Sequence, residues 1–305
     1  MTTSIYLISP SFYPDENLVE QRIKDLNIYA EYTIKRPPVR ARLNSLFTMD
    51  TVENRLVDLL FAVQSHDAHI ILAARGGYGA SDLLPLIPWK KLANLEPRCL
   101  VGFSDISALH SALWTKLGWP GLHGPMLGSP LWGQNSSADI SALLALLQNG
   151  QPQQGMLRIS PVAAPAMLSP QAPEALEGWL FGGCFSVLTN LIGTAYLPSS
   201  LAGAILLFED TGENCGRLLR YWNQWLQSGL LQGVKAVVWG KLSQLEGAVS
   251  EAQVKAELAK RTYLPTWTSE DFGHCSPNFP FMIGARAYGA AGSGAGEQLL
   301  VWQAP

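Results

Sequence analysis

Apolar and polar positions along the first half of the chain alternate between two periods. Residues 5–8 form a short apolar run that stops at Ser9-Pro10-Ser11, and residues 18–29 carry helical spacing through Leu18, Ile23 and Leu26. Thr51-x-x-Asn54 precedes a second helical pattern at Leu56, Leu59, Leu60 and Val63. Residues 68–74 read as a buried-strand run that breaks at Arg75-Gly-Gly-Tyr-Gly79, with a helical segment behind it. Residues 99–103 predict a further strand and 105–116 the helix that follows. Strands alternating with helices predict a parallel α/β sheet, whose ligands bind beyond the carboxyl ends of the strands. Arg75–Gly79 and Ser104 both fall at such ends.

The pattern changes over residues 149–174, where Pro152, Pro161, Pro165, Pro170 and Pro173 lie among Gln, Ala and Ser. This stretch reads as a linker between an N-terminal domain, 1–148, and a C-terminal domain, 175–305. In the second half, strands are expected at 204–208 and 234–239, with a strand-like run at 264–268 and a last apolar run at 299–302. Helices are expected at 185–192, 217–226 and 251–260, giving a second α/β or mixed domain.

Composition narrows the function classes. Hydrophobic residues make up 48% and charged residues 15% of the 305, enough for large cores and unlike a disordered chain. A net charge of -3 argues against a nucleic-acid partner, which calls for a basic face. The longest apolar runs are too short for a membrane span, and the opening residues lack a basic region and the apolar length of a signal peptide. Cys99, Cys184, Cys215 and Cys275 are scattered without pair spacing, as expected of free thiols in a reducing compartment. A cytoplasmic protein acting on a small molecule or peptide is the expectation, with neither metal nor cofactor.

Several polar residues sit where chemistry is possible. Gly102-Phe-Ser-Asp105 puts Ser104 at a strand-to-helix turn, where a side chain is exposed and the next N–H can stabilise an oxyanion; a helix cap is the alternative. It lacks the second glycine of the usual nucleophile elbow. The glycines of Arg75-Gly-Gly-Tyr-Gly79 allow close approach to a ligand, without the Lys-Ser/Thr of a phosphate loop. Glu209-Asp210 ends an apolar strand, where a carboxylate requires a partner, a cap or a salt bridge. Asp271-Phe-Gly-His274 carries the best-placed of the five histidines. His66 and His69 read as surface, His110 as packing, and His123 either as a site-lining residue or as a loop hydrogen-bonder. Cys275, beside His274, shows no sign of activation.

Together, Arg75-Gly-Gly-Tyr-Gly79, Gly102-Phe-Ser-Asp105, Gly182-Gly183, Glu209-Asp210 and Asp271-Phe-Gly-His274 resemble the LD-carboxypeptidases, the muramoyltetrapeptide carboxypeptidases of cell-wall recycling. The resemblance implies a Rossmann-like N-terminal domain, a β-rich mixed C-terminal domain and a homodimer. It implies a serine hydrolase with Ser104 as nucleophile, His274 as base and Glu209 as the base's partner, releasing terminal D-alanine from a murein tetrapeptide. The N–H groups of Asp105 and of Gly77 or Tyr78 would hold the oxyanion. Arg75 and Arg217 are candidates for the substrate carboxylate, and Tyr78 for a further contact. Where the family reads Gly-Gly-Asn-Leu, this chain has Gly182-Gly183-Cys184-Phe185. Two alternatives are the family's other branch, which is similar to the microcin C immunity peptidases, and a ligand-binding protein without turnover.

Overall fold

The computed structural model describes residues 3–29, 32–37, 49–68, 70–132, 138–147, 154–162, 176–292 and 297–305. The N-terminal half builds β1 (Thr3–Ile8), α1 (Glu16–Tyr29), β2 (Tyr32–Lys35), α2 (Val52–Gln64) and β3 (Ile70–Ala73). Two short helices, α3 (Ala80–Leu83) and α4 (Trp89–Leu92), lead to β4 (Cys99–Gly102). A 3-10 turn (Ser104–Ile106), α5 (Ser107–Leu117), β5 (Gly121–His123) and α6 (Ala138–Leu147) follow. Every residue of β3 and β4 is buried, so both are unbroken apolar runs, as befits parallel strands covered on both faces. Thr51 caps α2 by accepting from Asn54 N–H at 3.2 Å, and Leu59, Ala62 and Val63 form its buried stripe.

The second half contains β6 (Gln154–Pro161), β7 (Glu177–Cys184), α7 (Phe185–Thr189), β8 (Ala204–Thr211), α8 (Cys215–Gln227) and β9 (Ala236–Ser243). After α9 (Glu251–Ala259) come β10 (Thr266–Thr268), β11 (Phe281–Met282), β12 (Arg286–Ala291) and β13 (Gln298–Gln303). Two sheets result. One is six-stranded in the order β11-β5-β4-β3-β1-β2, parallel except for β11. The other is a closed barrel in the order β10-β6-β13-β12-β7-β8-β9, parallel from β7 through β8 and β9 to β10. The expected α/β class holds, and the β-rich second half is a barrel with no free edge.

Two details correct the sequence reading. The stretch 149–174 is not linker throughout: β6 lies inside it, pairing with β13 and β10 to close the barrel. Its alternating exposed and buried residues were obscured by the surrounding Pro and Gln, and the rest of that stretch, apart from Val162, lies outside the described residues. In addition, β11 belongs to the N-terminal sheet although it comes from the C-terminal half, with Phe281 opposite His123. The two halves also meet where Cys184 N–H donates to Ser107 Oγ at 2.9 Å.

Helices α7 and α8 cover the parallel strands of the barrel through an aromatic cluster. Phe185 lies 5.0 Å from Phe208 and 5.1 Å from Trp239, with Trp222 and Trp225 each 6.3 Å away. All five rings have no exposed surface. Trp222 and Trp225 still satisfy their indole N–H groups, on Leu258 O at 3.0 Å and Thr189 Oγ1 at 2.8 Å. Phe185→Ala is therefore expected to destabilise the protein by about 3–5 kcal/mol, measured as a lower midpoint in urea unfolding. A loss below about 1 kcal/mol, the range of a surface change, would show that this cluster does not hold the helices to the barrel.

Candidate active site

Four strand ends converge: β3 before Arg75, β4 before Ser104, β5 at His123 and β8 at Glu209. Ser104 has φ 63°, in the left-handed region that a side chain rarely adopts. Such a conformation costs on the order of 1–3 kcal/mol and must be held by its surroundings. Asp105 does part of the holding. Its buried carboxylate accepts from Ser11 Oγ at 2.5 Å and from Ala80 N–H at 2.9 Å, so the turn after β4 is tied to the loops after β1 and β3.

The Arg75–Gly79 turn lies directly against this serine. A Cβ on Gly76 would stand 2.9 Å from Ser104 Cβ, 3.1 Å from its Oγ and 3.5 Å from Asp105 N. Only glycine lets the backbone come so close, and a donor in this turn is well placed to share a negative oxygen with Asp105 N–H. Gly77 follows at φ 122°, packed on the Phe12 ring.

A residue that sequence reasoning passed over fixes the same turn. Arg55 on α2 is 1% exposed, and its Nη1 donates to Pro10 O at 2.7 Å and Gly79 O at 2.6 Å. Its Nη2 pairs with Asp82 at 3.2 Å. The available signal was its spacing: Arg55, Leu59 and Val63 share one helix face, so the arginine extends an apolar stripe.

His274 comes from the loop between β10 and β11. Asp271 anchors that loop by accepting from Arg158 N at 2.7 Å and from its Nη2 at 2.5 Å, while Gly273 N–H donates to Asn278 Oδ1 at 3.1 Å. Nδ1 of His274 is 2.6 Å from Glu209 Oε2, and Nε2 is 2.9 Å from Ser104 Oγ. An ionised carboxylate only accepts, so Nδ1–H donates to Glu209 and Nε2 is left to accept from the serine hydroxyl. Glu209 has no exposed surface. Burial pushes its carboxyl up, but His274 and His123 outweigh that and hold it well below the usual carboxylate range. Burial lowers the His274 imidazole, yet the Glu209 charge and hydrogen bond raise it overall. An imidazole bonded to a hydroxyl on one side and a carboxylate on the other can activate that hydroxyl as a nucleophile.

The neighbouring residues separate by role. Asp210 accepts from Ser186 N–H at 2.8 Å, Ser186 Oγ at 3.1 Å and Thr211 N–H at 2.9 Å, making it the expected cap; burial and the Glu209 charge push it up to about 6. Cys184 is buried, with Sγ 3.5 Å from Asp210 Oδ1 and from Ser186 Oγ. Burial pushes the Cys275 thiol up to about 12, and its Sγ is 3.4 Å from Pro277 O, so nothing here activates it. His110 packs as expected, 3.0 Å from Leu100 O, and burial lowers it to about 3. His66 is exposed, and His69 lies outside the described residues.

The candidate substrate contacts are all engaged within the chain. Half-buried Arg75 lies over the Phe12 ring at 5.9 Å and donates to Tyr13 O at 3.4 Å. Tyr78 is exposed, with its hydroxyl 3.2 Å from Asp82. Arg217 pairs with Glu213 at 2.5 Å and Glu246 at 3.4 Å. Among the described residues no group of three or more His, Cys, Asp or Glu could hold a metal ion, and no helix is long and apolar enough to cross a membrane.

A parallel sheet and a barrel that meet at a hydroxyl, imidazole and carboxylate in line define a hydrolase. The chain belongs to the LD-carboxypeptidase family: residues 5–124 match the family's N-terminal domain and 177–288 its C-terminal domain. It is 31% identical over 298 residues to the murein tetrapeptide carboxypeptidase of Pseudomonas aeruginosa, covering 93% of this chain and 92% of that one. A putative carboxypeptidase of Streptomyces coelicolor is 32% identical over 230 residues, 74% of this chain and 70% of the other. The crystal structure of muramoyltetrapeptide carboxypeptidase from Oxalobacter formigenes superposes with a TM-score of 0.84 at 25% identity, covering 99% of both chains.

The contact distances at Gly76 lead to a prediction. Gly76→Ala should slow labelling of the protein by a serine-directed phosphonate about a hundredfold, the scale expected for a misplacement near 1 Å. The same clash should lower stability by about 1–3 kcal/mol, leaving the protein folded at room temperature. Labelling at the wild-type rate would show that the turn does not shape the serine's surroundings.

Proposed function

We propose that this protein is a serine-type LD-carboxypeptidase that removes the terminal D-alanine from a murein tetrapeptide. The hydrogen-bonded series Ser104, His274 and Glu209 carries the reading, in a chain related over nearly its whole length to a murein tetrapeptide carboxypeptidase. In this reading the N-terminal sheet with its helices is a Rossmann-like domain and the barrel is the second domain. We further infer a cytoplasmic homodimer: the location rests on four free cysteines, which suit a reducing compartment, and the homodimer on the family resemblance alone.

Ser104 Oγ attacks the carbonyl carbon of the terminal amide while His274 Nε2 takes its proton. Glu209 keeps Nδ1–H in place and stabilises the resulting imidazolium. The carbonyl oxygen becomes an oxyanion facing the N–H of Asp105 and of Gly77; each such donor is worth about 3 kcal/mol in the transition state. The C–N bond then breaks, His274 gives its proton to the departing D-alanine amine, and an ester to Ser104 remains. Water cleaves that ester by the reverse proton route. Arg75 is the proposed partner of the substrate's terminal carboxylate, with Tyr78 beside it and Arg217 as the second candidate.

Ser104→Ala should leave folding intact and reduce D-alanine release to below about a thousandth of the wild-type rate. Matched peptides ending in L-alanine, or with an amidated terminus, should be poor substrates. Equal release of L- and D-alanine would overturn the LD-carboxypeptidase reading, and cleavage of an acidic aminoacyl-nucleotide amide instead would favour the immunity branch.

The pH profile follows from His274, which must be neutral to accept the serine proton. Its pKa is raised above the ordinary 6.5, so the neutral fraction is lost as pH falls through that higher value. The acid limb of kcat/KM should therefore have the slope of one group and a midpoint above 6.5. A flat profile from about pH 5 to 8 would exclude His274 as the base.

A further inference from the structure

His123 ends β5, and its side chain has no exposed surface. Its ring stacks on Phe281 at 4.4 Å and 14°, while Phe103 and Phe272 stand 5.9 and 6.2 Å away. Such a box suits a phenylalanine; an imidazole in it is costly unless its nitrogens are used. Neither ring nitrogen has a hydrogen-bond partner, and neither does Oε1 of Glu209. These atoms face each other, with Nε2 of His123 3.7 Å from Glu209 Oε1. A movement of less than about 1 Å brings them to hydrogen-bond distance. The loop hydrogen bond considered for His123 from the sequence is absent.

We propose that His123 is a positioning residue whose Nε2–H donates to Glu209 Oε1 and thereby holds Oε2 on His274. This rests on the Ser104, His274 and Glu209 reading. The terminal torsion of a glutamate is broad, so a single hydrogen bond at Oε2 leaves the carboxylate free to swing. A second donor at Oε1, fixed by the β5–β11 pairing and the Phe281 stack, removes that freedom. It also compensates the second oxygen of a charge that has no water around it.

The test compares His123→Gln, which keeps an N–H donor, with His123→Met, which has similar bulk and none. His123→Phe, which preserves the stack on Phe281, is a second donor-free replacement should Met not fold. Two rates are measured on each: phosphonate labelling of Ser104 and D-alanine release from a murein tetrapeptide. The donor-free variants should lose about ten- to a hundredfold in labelling rate and kcat, the range for a hydrogen bond to a charged group, with KM nearly unchanged. The Gln variant should keep most of both rates. In a Glu209→Gln background the same His123 change should alter labelling less than about twofold, because the residue acts through that carboxylate. Equal rates for Gln and the donor-free variants, or an undiminished loss in the Glu209→Gln background, overturn the proposal. Wild-type protein that is labelled but releases no D-alanine overturns the substrate reading alone, and the labelling series still decides on His123. Wild-type protein that is not labelled overturns both.

Discussion

A carboxylate without exposed surface at the end of β8 is the constraint around which the molecule is arranged. An isolated ion in such surroundings costs of order tens of kcal/mol, and it persists only with compensating partners. Glu209 sits where the barrel abuts the parallel sheet, and the two imidazoles nearest its carboxylate come from either side of that boundary. His274 lies 2.6 Å away on a loop of the barrel half, and His123 lies 3.7 Å away at the end of a strand of the other sheet. Removing one partner of a buried charge typically costs about 3–5 kcal/mol, so this geometry is held by energetics as well as by shape. His274, which meets the Glu209 carboxylate, also meets Ser104 Oγ, so one imidazole links the buried charge to the serine.

The serine side of the site depends on buried polar groups that make no contact with the reacting atoms. Ser104 is held at a positive φ by a turn whose next residue, Asp105, binds the loops after β1 and β3. Arg55 draws the same two loops together from below through Pro10 O and Gly79 O. The backbone approach at Gly76 is thus fixed from two sides. In the proposed mechanism, donors fixed in this way need no reorganisation as charge develops on the substrate oxygen.

Much of this site was legible in the sequence because chemistry at the ends of buried strands leaves a local signature. An apolar run followed at once by Ser104, by Glu209 or by Arg75-Gly-Gly is visible without knowing what packs on it. The barrel was legible only in part. Strands β8 and β9 read clearly, whereas β12 is Arg-Ala-Tyr-Gly-Ala-Ala and β6 lies among prolines and glutamines; their pairing is long-range and neither has strong intrinsic strand preference. β11 is two residues long and belongs to a sheet begun more than a hundred residues earlier, which no local pattern encodes. Arg55 was missed as a site residue, and His123 was read only as lining the site or as bonding within a loop, for a related reason. Each owes its role to groups distant in the chain, and a charged residue on a helix or a histidine in a loop is ordinarily solvated or locally bonded.

The placement of β11 bears on how the site works. If each half kept its own sheet, Ser104 and Glu209 would be held together only by a surface contact, and relative motion of the halves would open the series. Instead Phe281 and Met282 hydrogen-bond into the parallel sheet beside β5, and they follow His274 by only a short loop. Ile283 N–H donates to Gly121 O, and Gly284 N–H donates to Leu180 O, each at 2.8 Å, so consecutive residues bond to opposite halves. On the other side of the seam, Ser107, three residues after the serine, accepts from Cys184 N–H. Ser104 lies three residues from the Ser107 link and His274 seven residues before β11, and Glu209 is the register partner of Cys184, which makes the Ser107 link. Such a seam, bonded on both sides of the strand ends, resists hinge motion between the two halves.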